Sequence, residues 1–344
     1  QTTHHASRPA RNRLVIPQSS AYTSSPMTSF GIGKRWRADL ALGFTALIWG
    51  ATFVVVKDAL ADISVFVYIA VRFALAAAVI GILFRKSLRG MSRHTIWAGA
   101  QIGLFMLGGY VFQTTGLKYT TPSKAAFITG SSVVIVPLLL AVSGKRRITA
   151  WIWAGAAAAL AGLYFLTVPP EGLGGLNRGD PIVFVCAVMF ALHIIFVGRY
   201  IERHSVGALS FIQIATTAII AAMAIPILSA SGYEAPRLVW NGTVIFAVLV
   251  TALGSTAFGF TCQTWAQQYT SPSHTAILIS LEPVFAALTS WLLAREHLGP
   301  RVLLGAALIF AGILLAELKG PAPAAPESSE PVVRRAEQDL KSFE

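Results

Sequence analysis

The strongest constraint on this chain is a succession of apolar runs, each long enough to cross a bilayer. About 20 helical residues span the hydrocarbon core. Runs of that order recur at 39–57, 63–84, 95–116, 123–143, 149–168, 181–199, 206–229, 239–262, 273–293 and 299–318. Membrane-barrel strands would alternate in polarity over about ten residues, and these runs do not. The sequence therefore predicts an all-α integral membrane protein with ten transmembrane helices. The division of 238–273 into two spans is the least marked, because that stretch carries no charge after Arg237.

Composition agrees. Charged residues make up 12% and hydrophobic residues 55%, whereas a soluble domain carries about 25% charged residues. The net charge of +12 raises the question of nucleic acid. The basic residues cluster in short loops between apolar runs, which is the pattern of cytoplasmic-loop anchoring, so no nucleic-acid partner is expected. Cys186 and Cys262 both fall inside apolar runs and read as small apolar residues.

A second feature organises the helices. The block QTTGLKYTTPSKAAFI, from Gln113, returns as QTWAQQYTSPSHTAIL, from Gln263, at a fixed offset of 150 residues. The register pairs Tyr119 with Tyr269, Pro122 with Pro272 and Ala126 with Ala276. It continues to Gly155 with Gly305 and Gly162 with Gly312. Shared hydrophobicity would not align such a block, so the chain is internally duplicated. Five helices per half is an odd number. The halves are expected to cross the membrane in opposite senses, as two inverted five-helix repeats, at 39–168 and 181–318. Residues 169–180, with Pro169-Pro170 and a glycine cluster, read as the linker. Pro122 and Pro272 suit the first turn of a helix, where a missing N–H costs nothing.

The ends read differently. Residues 1–38 are polar and lack the apolar core of a signal peptide; Met27 is a candidate translation start within them. Residues 319–344 are rich in Pro, Ala, Glu and Ser. Both ends are expected to be disordered tails. Arg85, Lys86, Arg89, Arg93, Lys145, Arg146, Arg147, Arg199 and Arg203 would lie in inner loops, against scattered Lys57, Lys118, Arg178 and Arg237 outside. That bias predicts both termini in the cytoplasm, in a bacterial plasma (inner) membrane.

The residues also resemble a known family. Trp49-Gly50-Ala51-Thr52-Phe53 with Lys57, Arg72-Phe73, the repeated Tyr-Thr-x-Pro-Ser block, and Leu281-Glu282-Pro283-Val284 with Glu296 resemble the EamA family of the drug/metabolite transporter superfamily. The resemblance covers about 40–318. It implies ten helices in two inverted repeats. It also implies a secondary transporter that moves a small metabolite (an amino acid, a nucleobase or a related compound, or drugs) by alternating access, with export as the working direction. Helix six departs from the pattern, since Phe190-Ala191-Leu192-His193 stands opposite Trp49-Gly50-Ala51-Thr52.

Polar residues inside spans are the candidate site. Trp49, Thr52, Thr129, Ser132, His193 and Glu282 are read as substrate-binding, with Ser131 beside them. Glu282 is also read as the coupling residue, because an acid at mid-bilayer pays a desolvation cost when ionised and is suited to take up a proton. Helix-to-helix hydrogen bonding is the competing role for each, and for Glu282 a fixed pair with Arg72. Lys124 and His274 occupy matching helix starts and read as interfacial side chains or anion contacts. No phosphate-binding loop, metal-ligand set or catalytic constellation appears, so no enzyme activity, metal or cofactor is expected. The expected partners are a small-molecule substrate, the bilayer and protons. The other classes weighed are a multi-span enzyme acting on lipid and a non-transporting membrane scaffold.

Overall fold

A computed structural model of the chain describes residues 29–120, 122–143, 148–168, 170–172, 177–285, 287–288 and 299–319. The expected tails, the linker glycines, the basic loop 144–147 and Glu296 fall mostly or wholly outside these residues. The described residues are helical, with no strand among them beyond one isolated bridge.

The helices are α1 (Ser29–Ala59), α2 (Val65–Leu83), α3 (Arg93–Leu117), α4 (Pro122–Gly130), α5 (Ser132–Val142), α6 (Ala150–Thr167), α7 (Gly179–Tyr200), α8 (Val206–Ala230), α9 (Gly242–Val250), a π-helical segment (Thr251–Phe258), α10 (Gly259–Ala266), α11 (Pro272–Ile279) and α12 (Pro300–Lys319). Eight helical stretches are long and apolar enough to cross a membrane, from Lys34–Ala59 to Gly242–Ala266; the shorter apolar helix Pro300–Ala316 follows. The ninth predicted span, 273–293, lies partly outside the described residues.

Local chemistry sets the helix starts. Side chains of Ser92, Thr149, Ser205, Asn241 and Ser271 accept from backbone N–H groups one turn on, satisfying donors the helix leaves open. α4 and α11 both begin on proline, as predicted. α1 starts at Ser29, earlier than the predicted 39. Residues 29–38 contain no proline to stop it, and Trp36 beside Lys34, Arg35 and Arg37 suits a membrane interface.

Two predicted single spans are broken. The fourth stops at Ser131 and restarts as α5. The ninth stops after Ile279, and the chain is helical again from Glu282. The breaks fall at matching places in the duplicated sequence. At each one a serine hydroxyl, Ser131 or Ser280, bonds the carbonyl three residues back, Ile128 or Ile277.

Packing repeats in the same way. α6 and α12 press together through glycines. A Cβ at Gly155 would lie 2.7 Å from the Gly312 carbonyl oxygen, and one at Gly162 would lie 2.6 Å from that of Gly305. The reverse contacts are as short, at 2.6 Å and 2.7 Å. These glycines are the residues the sequence offset pairs, so α6 touches α12 as α12 touches α6. Small residues let membrane helices approach this closely.

One end of the bundle is strapped by polar contacts between the α1–α2 turn and the α8–α9 loop. Ile63 bridges Leu238, and Asp62 takes bonds from Arg237 and Asn241. Glu234 accepts from the backbone N–H groups of Val65 and Phe66 at the start of α2 and pairs with Lys118 at 2.7 Å.

Candidate functional site

The site is built where α1, α2, α3, α7 and the π segment meet. Trp49 of α1 donates its indole N–H to the Ser255 carbonyl in the π segment, at 2.8 Å. Its ring packs on Phe260, centroids 4.9 Å apart. Phe260 faces Tyr110 at 6.0 Å, and Tyr110 meets Phe190 edge-on at 5.4 Å. The result is a row of four rings, Trp49, Phe260, Tyr110 and Phe190.

Two glycines seat the ends of the row. A Cβ at Gly259 would lie 2.6 Å from the Trp49 indole nitrogen, and one at Gly109 would lie 2.5 Å from the Phe190 ring. Gly109 and Gly259 are matched by the sequence offset, as are Tyr110 and Phe260. Phe190, the departure at helix six, therefore fills the place opposite Trp49 with another aromatic ring.

Arg72 of α2 is 3% exposed and stands beside this row. Its guanidinium donates to Thr256 at 2.7 Å, to Ser255 at 2.8 Å and to the Tyr110 hydroxyl at 3.1 Å. It also lies over the Tyr110 ring, 4.6 Å from the centroid. Tyr68, one turn earlier, bonds Thr251 at 2.9 Å. The π segment is thus held by side chains from α1 and α2. A π turn carries an extra residue and needs such compensation.

The sequence-predicted residues fall into two groups. Trp49, His193, Thr129 and Glu282 converge on this region. His193 is buried, bonds Gln213 at 2.8 Å, and meets the Phe260 ring edge-on at 5.4 Å. Glu282 is partly exposed, at the start of the helix that resumes after the second break. The Thr129 hydroxyl contacts the Cys186 sulfur at 3.8 Å. Thr52 is turned back on its own helix, donating to the Trp49 carbonyl. Ser132 is buried, first in α5. Glu282 opens the resumed helix after its break, so it and Ser132 hold matching places.

The alternative role for Glu282, an ion pair with Arg72, is not what the structure shows. The Arg72 bonds all go to hydroxyls. His274 instead meets an acid, Asp39 of α1, at 3.1 Å. The Lys124 side chain lies outside the described residues.

Sequence reasoning missed Tyr110, Phe190, Gln213, Ser255, Thr256 and Phe260. Reading the offset one turn upstream of Gln113 and Gln263 would have picked out the Tyr110/Phe260 and Gly109/Gly259 pairs.

Comparison with known proteins gives a consistent result. The model of the EamA-like transporter family matches residues 36–168 and again 177–318. A protein of Archaeoglobus fulgidus named as an uncharacterized transporter is 36% identical over 288 residues, covering 83% of this chain and 87% of its own. A second so named, from the same organism, is 24% identical over 295 residues, covering 82% of this chain and 98% of its own. A solved crystal structure, 22% identical, shares the fold with a TM-score of 0.68, covering 83% of this chain and 97% of that one. The chain is a helical, multi-pass membrane protein that belongs to the EamA-like transporter family.

Proposed function

We propose that this chain is a secondary transporter that moves a small metabolite by alternating access between two inverted five-helix repeats. The carrying observation is that the same contacts are made twice. Gly155 meets Gly312 as Gly305 meets Gly162, and Gly109 seats Phe190 as Gly259 seats Trp49. Contacts exchanged in this way are what a two-fold axis between antiparallel halves produces. The family model matching once in each half supports the same reading.

The site follows from that arrangement. The ring row crosses the axis, with Arg72 beside it and Glu282 at the start of the helix that resumes after the second break. Substrate would pass beside Trp49, Thr129, His193 and Glu282, near the two helix breaks. Interrupted helices at mid-membrane are a recurrent way to expose backbone groups to a substrate. Glu282 is the coupling residue: among the described residues no hydrogen bond or ion pair occupies its carboxylate. Both termini face the cytoplasm of a bacterial plasma membrane, by the basic-loop bias.

The test has two stages. Purified protein is screened for thermal stabilisation by amino acids, nucleobases and sugars, since a bound ligand raises apparent stability. The hit is then loaded into proteoliposomes with an imposed pH gradient. Accumulation by the wild type, lost in Glu282→Gln while substrate exchange survives, is the expected result. Gradient-driven accumulation in Glu282→Gln would remove Glu282 from coupling, and absence of any transport of the hit would remove the transporter reading.

A further inference from the structure

The end of the bundle opposite the Glu234 strap is joined differently. His94, at the start of α3, and His204, in the turn between α7 and α8, face each other with His94 Nδ1 3.1 Å from His204 Nε2. Their rings are stacked, centroids 5.1 Å apart and 27° between planes. His204 uses its other nitrogen on the Thr95 hydroxyl at 3.0 Å, and Thr95 bonds Ser92, the cap of α3. Tyr200 of α7 lies beside both rings, at 6.4 Å and 6.2 Å, and its hydroxyl donates to Gln101.

We propose that His94 and His204 form a proton-operated catch between α3 and the α7–α8 turn, closed while at least one ring is neutral and released when both are charged. A neutral imidazole has one donor nitrogen and one acceptor. Two neutral rings, or one neutral and one charged, can share the proton between Nδ1 and Nε2. Two charged rings turn N–H toward N–H at that distance, and the bond becomes a repulsion. Histidine is the side chain whose ordinary range permits this near physiological pH.

Apart from the acid Glu202, the charged surroundings oppose charging. Arg93 stands on α3, Arg199 on α7, and Glu202 and Arg203 in the turn; Arg85, Lys86 and Arg89 lie in the loop entering α3. The first turn of α8, Val206 to Ala208, carries no titratable group. Burial first, then the neighbouring His94 and Arg203, hold the His204 ring below the usual histidine range. The sign follows. A histidine depressed in the folded state binds fewer protons there than when unfolded, so its contribution is present above the unfolded value, about 6.5. It is lost as pH falls below that value toward the depressed folded one. The catch stays closed in a neutral cytoplasm and opens under acid load. Its consequence for transport rests on the alternating-access reading, because α3 and the α7–α8 turn belong to different halves; its existence does not.

The test therefore reads the catch directly. Histidine-ring NMR of the whole protein in detergent, assigned with His94→Gln and His204→Gln, gives the His204 midpoint. Removing His94 should raise that midpoint toward the ordinary value; an unchanged midpoint overturns the proposal. Amide exchange at 93–97 and 201–205 is then compared between wild type and His204→Ala at each of two pH values. At the pH well above the measured ring midpoints the variant should exchange faster, and at the pH well below them the two should coincide. An equal difference at both pH values means a fixed structural contact, not a catch. His94→Ala serves as the second variant if His204→Ala does not fold.

Discussion

α3 and the stretch Gly242–Ala266 hold matching positions in the duplicated sequence, yet they are built differently. α3 is unbroken from Arg93 to Leu117; its counterpart passes through eight π-helical residues, Thr251–Phe258. Each crosses a neighbour at this level. α3 meets α8 by close approach: a Cβ at Gly103 would lie 2.7 Å from the Gln213 carbonyl oxygen, and one at Gly99 would lie 2.6 Å from Ile212. The π segment meets α2 through Arg72 and the hydroxyls of Ser255 and Thr256. Where α3 has Phe105 and Met106, its counterpart has Ser255 and Thr256. The two crossings lie at positions 150 residues apart in the sequence. One crossing is tight, with the Thr217 hydroxyl donating to the Gly103 carbonyl at 3.1 Å; the other holds a buried cation. The difference puts the polar contacts of Arg72 on one of the two matched crossings only.

Removing the cation should have the largest effect. Arg72→Ala leaves three hydroxyl partners without a donor and takes away a charged hydrogen-bond set, so a loss on the order of 3 kcal/mol is expected. Arg72→Lys should recover little, because an ammonium cannot reproduce the fork that reaches Thr256, Ser255 and Tyr110 together. Thermal unfolding in detergent measures both. If Arg72→Ala unfolds as the wild type does, the polar crossing contributes nothing and the comparison with α3 loses its point.

The paired glycines sharpen the contrast. Gly259→Ala and Gly109→Ala both place a methyl against an aromatic ring, an overpacking worth roughly 1–3 kcal/mol. The costs should differ. Phe190 can turn away from residue 109 without losing a hydrogen bond. Trp49 cannot turn from residue 259 without releasing the Ser255 carbonyl. Gly259→Ala should be the more destabilising. Combined with Trp49→Phe, which has already lost that bond, it should cost less than the sum of the two single changes. Equal costs at 109 and 259 would mean the indole bond does not hold the π segment.

How much of this was legible beforehand follows from the same residues. Hydrophobic run length and the Tyr-Thr-x-Pro-Ser repeat located the helices, since both act through local chain chemistry. α4 and α11 start on the prolines that the sequence marked. The helix break after Gly130 was not legible, because SSVVIV keeps the hydropathy of an unbroken span; that after Ile279 had a local mark in Glu282-Pro283, since proline can kink a helix, but not one that fixed a full interruption. The π turn was equally hidden: TALGSTAF reads as ordinary small-residue helix, and only tertiary partners, Arg72 and Trp49, hold its winding. For the site, single polar residues were visible one at a time. Their grouping was not, because Tyr110, Phe190 and Phe260 look like routine lipid-facing aromatics until the helices cross. Arg72 drew attention as a charge in a span, but hydroxyls of α3 and the π segment, not Glu282, turned out to be its partners.

The smallest expected effect lies where the two stretches end. α3 runs into Lys118, which pairs with Glu234; the matching residue after α10 is Gln268, which has no charge to offer. One copy therefore has a charged residue of its own at the exposed tip, and the other meets the buried Arg72 of α2 at mid-span. Burial pushes the Glu234 carboxyl up, but the Lys118 bond, the Phe66 and Val65 N–H groups and the Lys118 charge together hold it below its usual range. A carboxyl depressed in the folded state contributes stability above its unfolded value, about 4.3, and loses it as pH falls through the folded value. Lys118 is over a third exposed, so screening limits the pair to less than about 1 kcal/mol. Glu234→Gln should lower the wild-type melting temperature slightly at pH 7 and erase part of its decline below pH 5. Lys118→Gln should do less, since the two backbone N–H bonds to Glu234 remain. A Glu234→Gln variant whose melting temperature falls with acid as steeply as the wild type's would show that the strap is neutral to folding, and that charge at the tip of α3, unlike the Arg72 charge of α2 beside the π segment, is only a solvated end.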